Sequence, residues 1–381
     1  MQPTRRPLHA ALGTAPSASG PAAAAERAAA TAEARQDAAL RSWLTSNGGF
    51  VHPAISLSAA TQCGSRGLVA SKAISLEALE AGSLVSVPRA LHLDDRAARA
   101  VVAQLLGPGP RLDAFEALAQ VQQVACVLAL ERLRGADSFW RPYLDSLPPQ
   151  PPNPWLLAGG DLAAAVEQAA HFADLDATEV QALAEADEGA ASRLQAAAVD
   201  VESSDEDDGG RADRAATEAT EAAAASAASA RSSAAAAAGM RGGGWAAAAV
   251  AAAAKYGDAA EEVLDALGRT AAVRQMGLDR EGLMWAMGHV ASRSLGSGDS
   301  AGLLPYVDLA NHDEMSRPPM LILDDRDQLV YSLTSIRDGE LAPLAAGQEL
   351  FISYQAEDMS ALQAWLKFGF VPKGLVPAPV R

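Results

Sequence analysis

Leu303-Leu304-Pro305-Tyr306-Val307-Asp308-Leu309-Ala310-Asn311-His312 is an apolar, extended run that halts at a carboxylate and is followed three residues later by an amide and an imidazole. An Asn-His pair standing alone is usually a loop or a satisfied buried pair. Its surroundings set this one apart. Downstream, Met320-Leu-Ile-Leu323, Leu329-Val-Tyr-Ser-Leu333 and Gln348-Glu-Leu-Phe-Ile-Ser-Tyr354 are further short β-prone segments, and Asp324-Asp-Arg-Asp327 has the composition of a hairpin turn. A helix from Ser360 to Lys367 and the segment Phe368-Gly-Phe-Val371 close the series. Upstream, Asp279 suits a helix N-cap, with Glu281 in the first turn. Leu283, Met287 and Val290 form an apolar stripe leading to Ser292, Arg293 and Gly296.

The N-terminal part has similar ingredients. A helix over Thr31 to Ser46 stops at Asn47-Gly48-Gly49, and Gly67-Leu-Val-Ala70 and Leu84-Val-Ser-Val-Pro88 are strands separated by turn-like Glu80-Ala-Gly-Ser83. Asp113, with Glu116 three residues on, caps a helix expected to run through Phe115, Leu118, Val121, Val124, Ala125 and Leu128 to Gly135. Trp140, Tyr143, Leu144 and Leu147 read as packing residues before the helix-incompatible Pro148-Pro149-Gln150-Pro151-Pro152. Residues 186–254 combine Glu202 and Asp205-Glu-Asp-Asp208 with alanine-serine tracts and Gly242-Gly-Gly244. So few large apolar groups predict a disordered or loosely helical insertion, with an acidic dock for a basic partner as the functional alternative. Short strands flanking a helical middle predict an α+β fold and not a βαβ nucleotide-binding sheet.

Composition excludes several function classes. A formal charge of -17 over 381 residues opposes binding to nucleic-acid phosphates. No window is apolar enough for a membrane span. Cys63 and Cys126 stand far apart without ligand-spaced partners, so neither a disulfide framework nor a metal site is indicated. Gly107-Pro-Gly-Pro110 is a turn and not a phosphate loop, and no Gly-x-Ser-x-Gly elbow is present. The first 25 residues carry Arg5 and Arg6 and no acid, a composition shared by organelle transit peptides and by plain alanine-rich leaders. Chloroplast is the expected compartment, with cytoplasm or nucleus as alternatives.

Gly67-Leu-Val-Ala70, Phe139-Trp-Arg-Pro-Tyr-Leu-Asp-Ser-Leu-Pro148, Trp285 through Ser292-Arg293, Asp308-Leu-Ala-Asn311-His312, Glu349-Leu-Phe-Ile-Ser-Tyr354 and Phe368-Gly-Phe-Val371 occur in that order. As an ordered set over residues 64–371 they resemble the SET-domain methyltransferases of the Rubisco large-subunit methyltransferase type, whose relatives include an actin-histidine methyltransferase. The resemblance implies a SET-domain fold of short β-sheets with a C-terminal pseudoknot, interrupted by a largely helical insertion. It divides the chain into a leader and helix (1–46), an N-terminal SET part (47–110), the insertion (111–295), a C-terminal SET part (296–371) and a tail (372–381). The implied cofactor is S-adenosyl-L-methionine and the implied partner is a protein presenting a lysine, or a histidine.

The resemblance also implies residue roles. Gly64, Ser65 and Arg66 match backbone contacts to the cofactor, and Ser292 and Arg293 match the group that binds its carboxylate. Asp308 belongs to the cofactor segment, in which Asn311 and His312 match the pair holding the methionine and adenine portions. Tyr354 aligns with the catalytic tyrosine, Leu295 and Phe368 fall in the substrate channel, and no metal is implied. Two features depart from the family pattern. Phe368 stands where Tyr-Gly-Phe is usual, and the segment between Tyr354 and Phe368 lacks the usual Asn. Larger members also carry a helical C-terminal domain for substrate, for which the residues before Arg381 leave no room. Lysine methylation is therefore the leading expectation, with histidine methylation and a catalytically silent binding module as alternatives.

Overall fold

The structure, a computed structural model, describes residues 21–59, 61–173, 243–268, 271–296, 301–324 and 326–375. The expectations for residues 1–20, for the acidic cluster at Glu202 to Asp208 and for residues 376–381 lie outside the described residues. The strands are β1 (Phe50–Val51), β2 (Ile55–Ser58), β3 (Gly67–Ala70), β4 (Val85–Pro88), β5 (Asn311–His312), β6 (Met320–Leu323), β7 (Leu329–Leu333), β8 (Ile336–Arg337), β9 (Glu340–Leu341) and β10 (Glu349–Ile352). The helices used below are α1 (Pro21–Ser46), α2 (Pro110–Glu116), α3 (Gln120–Arg134), α4 (Arg141–Leu144), α5 (Gly243–Leu267), α6 (Arg280–Arg293) and α7 (Ala361–Phe368).

The sheets join the two ends of the chain. One has the order β1-β4-β7-β6, with Val85 opposite Leu333; a second has the order β2-β3-β10-β5. Its β10 runs antiparallel to β3, with Leu350 opposite Leu68, and parallel to β5, with Ile352 opposite His312. A strand late in sequence thus sits between an early strand and the Asn311-His312 segment, bringing Tyr354 beside residues 42 positions away. The alternating pleat buries Leu350 and Ile352 in the core. This is the α+β architecture expected from strands on both flanks of a helical middle.

Three local expectations are corrected. The helix expected from Asp113 to Gly135 is broken: Gly109 starts α2, Asp113 lies inside it, and the chain turns at Ala117 to Ala119 before α3. The buried Gln122 draws the break, because its carbonyl accepts from Ala119 N at 2.8 Å while its amide donates to Glu262 at 2.6 Å. Leu303 to Asp308 is not a strand. Leu303 makes one bridge with Leu93, then Val307–Leu309 forms a 3-10 turn behind Tyr306, whose φ is +74°. That strained backbone is held by packing, since the fully buried Tyr306 ring places its hydroxyl 2.8 Å from Asp37 and 3.0 Å from Arg41 of α1. Finally, the stretch expected to be disordered or loosely helical to residue 254 is, from Gly243 onward, a packed helix that runs to Leu267. Tertiary packing supplies what the alanines lack: Trp245 lies 5.1 Å from Trp365, and Ala249 is fully buried.

Other readings hold. Asp279 caps α6 through Gly282 N at 2.8 Å, and Ser360 and Gln363 form a reciprocal capping box on α7. The far end of α7 is fixed by the proline-rich stretch. Asn153 donates to the Lys367 carbonyl at 2.7 Å and Trp155 to the Leu366 carbonyl at 3.1 Å, satisfying groups a helix end leaves orphaned. Gly369 then turns the chain with φ +77°, and a methyl group there would meet the Pro152 carbonyl. Gly369→Ala is expected to destabilise the protein by about 1–3 kcal/mol through this strained conformation and contact, measurable by denaturant unfolding.

Candidate active site

The expected site residues come mostly from segments far apart in sequence, and a cavity of about 250 Å³ gathers most of them. Ser65 and Arg66 reach it from the turn before β3, and Ser292 and Arg293 from the end of α6. Asp308 and Asn311 reach it from the segment leading into β5, and Tyr354 and Phe368 from the C-terminal region. Gly64, Leu295 and His312 do not line it. Gly64 occupies the adjoining turn with φ +72°, and Leu295 is buried in the core on a bridge with Gly302. His312 supports Tyr354 instead: its Nδ1 accepts from Tyr354 N at 3.1 Å, with the rings 5.1 Å apart. A larger, open depression of about 670 Å³ near Ile74 and Leu344 has no acid, arginine or lysine in its lining, so size does not select the site.

Arg66 is tied into the scaffold. Its guanidinium donates to the Ser146 carbonyl, lies 3.4 Å from Gln36 and pairs with Glu33 at 3.6 Å. Arg293 also lines the cavity and is less fully committed: Nη1 donates to the Asp308 carbonyl at 2.8 Å, while Nε is buried with no partner among the described residues. The Asp308 carboxyl shows the same pattern. Oδ2 accepts from the Tyr143 hydroxyl, and Oδ1 is buried without a partner. Burial raises its pKa to about 7, against the opposing influence of the Arg293 charge and the Tyr143 hydrogen bond.

Asn311 Nδ2 donates to Glu349 Oε1 at 2.6 Å, and the other Glu349 oxygen accepts from Cys63 N at 3.3 Å. This clamp joins the Cys63 turn, β5 and β10. It also explains Gly67, where a Cβ would lie 2.5 Å from Asn311 Nδ2 and 2.9 Å from Glu349. The Tyr354 hydroxyl donates to the Ala310 carbonyl at 2.9 Å, and burial foremost raises its pKa to about 12, so the phenol is neutral near pH 7. Phe368 lies 5.2 Å and Phe370 6.4 Å from the Tyr354 ring, making a three-ring wall with Phe370 42% exposed at its edge.

Tyr143, Glu349 and Phe370 were not among the expected site residues. All three lie within the ordered segments, yet only Glu349 carried a local signal, as an acid on the inward face of an apolar strand. Among the described residues no cluster of His, Cys, Asp and Glu is placed to hold a metal ion, and no helix is long and apolar enough to cross a membrane.

No family model matches the chain, and no curated protein matches it by sequence. Solved structures do match. The SET domain of LSMT bound to lysine and AdoHcy aligns with a TM-score of 0.52 at 15% identity, over 88% of this chain and 57% of that one. The chain has a SET-domain fold. Rubisco LSMT bound to AdoMet aligns with a TM-score of 0.51 at 16% identity, over 89% of this chain and 57% of that one. The chain therefore spans 57% of the length of these SET-domain structures. The placement of β10 between β3 and β5 is the part of the SET-domain fold that assembles the cavity, because it carries Glu349 and Tyr354 to Asn311.

Proposed function

We propose that this protein binds S-adenosyl-L-methionine in the cavity and transfers its methyl group to a lysine of a partner protein. The observation that carries the reading is the convergence of Arg293, Asn311 and Tyr354, from three separate segments, on one cavity. Its polar atoms suit the cofactor's amino-acid end. The orphaned Arg293 Nε offers a charge-assisted donor to a carboxylate, and the orphaned Asp308 Oδ1 an acceptor to an ammonium. The Asn311–Glu349 clamp fixes the neighbouring backbone. When bound, the cofactor supplies an electrophilic methyl group on a sulfonium.

The protein's own contribution is positioning and exclusion of water. The Tyr354, Phe368 and Phe370 rings form an apolar wall that disfavours an ammonium and so lowers the pKa of an entering lysine, favouring its nucleophilic neutral form. The neutral Tyr354 hydroxyl and the Ala310 carbonyl, already hydrogen-bonded together, provide the polar edge against which the amine and methyl group align. No dedicated base is required, since the proton lost by the amine leaves to water. Lysine is favoured by this narrow aromatic setting. Phe368, which brings no hydroxyl to the wall, is the feature that favours histidine or a silent module as the second reading.

Incubation with methyl-labelled S-adenosylmethionine and either a plastid or a whole-cell lysate tests the proposal. A labelled protein carrying methyl-lysine by mass spectrometry is the expected result. Methyl-histidine would move the assignment to the second acceptor, and persistent absence of label despite cofactor binding would replace catalysis with binding alone.

A further inference from the structure

The segment Phe139 to Pro148 reads as packing in the sequence, yet one of its side chains enters the polar structure of the cavity. Tyr143 of α4 is fully buried, and its hydroxyl donates to Asp308 Oδ2 across 165 positions. Asp308 is itself 3% exposed and lines the cavity. It is held at two places: its carboxyl by Tyr143, and its backbone carbonyl by Arg293 at 2.8 Å. The remaining carboxyl oxygen, Oδ1, has no partner among the described residues. A buried anion with one bonded and one unbonded oxygen is costly unless something cationic uses the second. The charged and titratable groups bearing on Asp308 are Arg293 at the end of α6, Tyr143 on α4 and Tyr354 just beyond β10.

We propose that Tyr143 is a positioning residue: by donating to the Asp308 carboxyl it keeps an anion at the cavity wall, which makes the site favour a cationic sulfonium over the neutral thioether left after methyl transfer. This rests on the cofactor reading above for its ligand, but the link between Tyr143 and Asp308 does not. A hydrogen bond to the charged form lowers a carboxyl pKa, so removing it raises the pKa. In the wild type the carboxyl passes from neutral to charged near pH 7, and preference for the sulfonium grows as pH rises through that region. Without the Tyr143 hydroxyl the same change is displaced to higher pH by about one to two units, the worth of one hydrogen bond to a charged group. S-adenosylhomocysteine keeps the ammonium and loses only the sulfonium charge, so the carboxylate separates the two ligands by that one charge alone.

The test follows the Asp308 carboxyl resonance by NMR against pH in wild type and Tyr143→Phe, alongside calorimetric affinities for S-adenosylmethionine and S-adenosylhomocysteine over the same range. The expected result is an upward-shifted carboxyl titration in Tyr143→Phe, with the sulfonium-to-thioether affinity ratio shifted in step. Asp308→Asn, which retains the shape of the side chain, should make the ratio independent of pH and serves if Tyr143→Phe folds poorly. An unshifted carboxyl titration in a folded Tyr143→Phe protein, or a ratio that still rises with pH in Asp308→Asn, overturns the inference. A shifted titration in a protein that binds neither ligand would uphold the coupling of Tyr143 to Asp308 and reject the cofactor reading instead.

Discussion

Arg293→Met is expected to weaken S-adenosylmethionine binding by about a hundredfold or more while leaving a folded protein. Methionine preserves much of the aliphatic stem, so the packing of the end of α6 survives, but both guanidinium roles vanish. The Nη1 bond to the Asp308 carbonyl at 2.8 Å is lost, and so is the unpartnered Nε that suits the cofactor's carboxylate. Removing one member of a desolvated, hydrogen-bonded charge pair typically costs about 2–5 kcal/mol. Loss of the guanidinium also removes an influence that lowers the Asp308 pKa, so that carboxyl becomes neutral at a higher pH in the variant. The affinity loss measured by calorimetry should therefore persist at neutral pH. Wild-type affinity in the variant would remove Arg293 from the site.

Tyr354→Phe should separate binding from transfer. The ring contacts with Phe368 at 5.2 Å and with His312 at 5.1 Å do not need the hydroxyl, so the cavity wall is preserved. What disappears is the donor to the Ala310 carbonyl at 2.9 Å, together with the polar edge that aligns amine and methyl group. Loss of one oriented polar group at a reacting centre commonly lowers the rate by about 10²–10³-fold. Single-turnover labelling should fall by that order, with cofactor affinity nearly unchanged. Equal loss of both would assign the hydroxyl to structure, and loss of neither would assign the chemistry elsewhere.

Legibility in the sequence tracked the range of the interactions. The cap at Asp279 was readable because the carboxylate and the Gly282 amide that donates to it lie within three residues of one another. The α5 helix was not, because an alanine run has little apolar surface of its own and is ordered by Trp245 against the distant Trp365. The break after Glu116 was hidden for the same reason: Gln122 is held from α5, 140 positions away. At the site, Arg293, Asn311 and Tyr354 were reachable through the order of motifs, whereas nothing in their spacing alone required convergence. Tyr143 looked like one more aromatic packing residue until Asp308 was seen beneath its hydroxyl. Leu295, expected in the channel, is buried on its antiparallel bridge with Gly302 and does not line the cavity.

Whether the cavity takes the cofactor is tested, without knowledge of any substrate, by a calorimetric titration of the wild-type protein with S-adenosylmethionine. Saturable binding at one site per chain, reduced about a hundredfold in Arg293→Met, is the predicted result. A folded wild-type protein that shows no saturable binding at millimolar cofactor would contradict it.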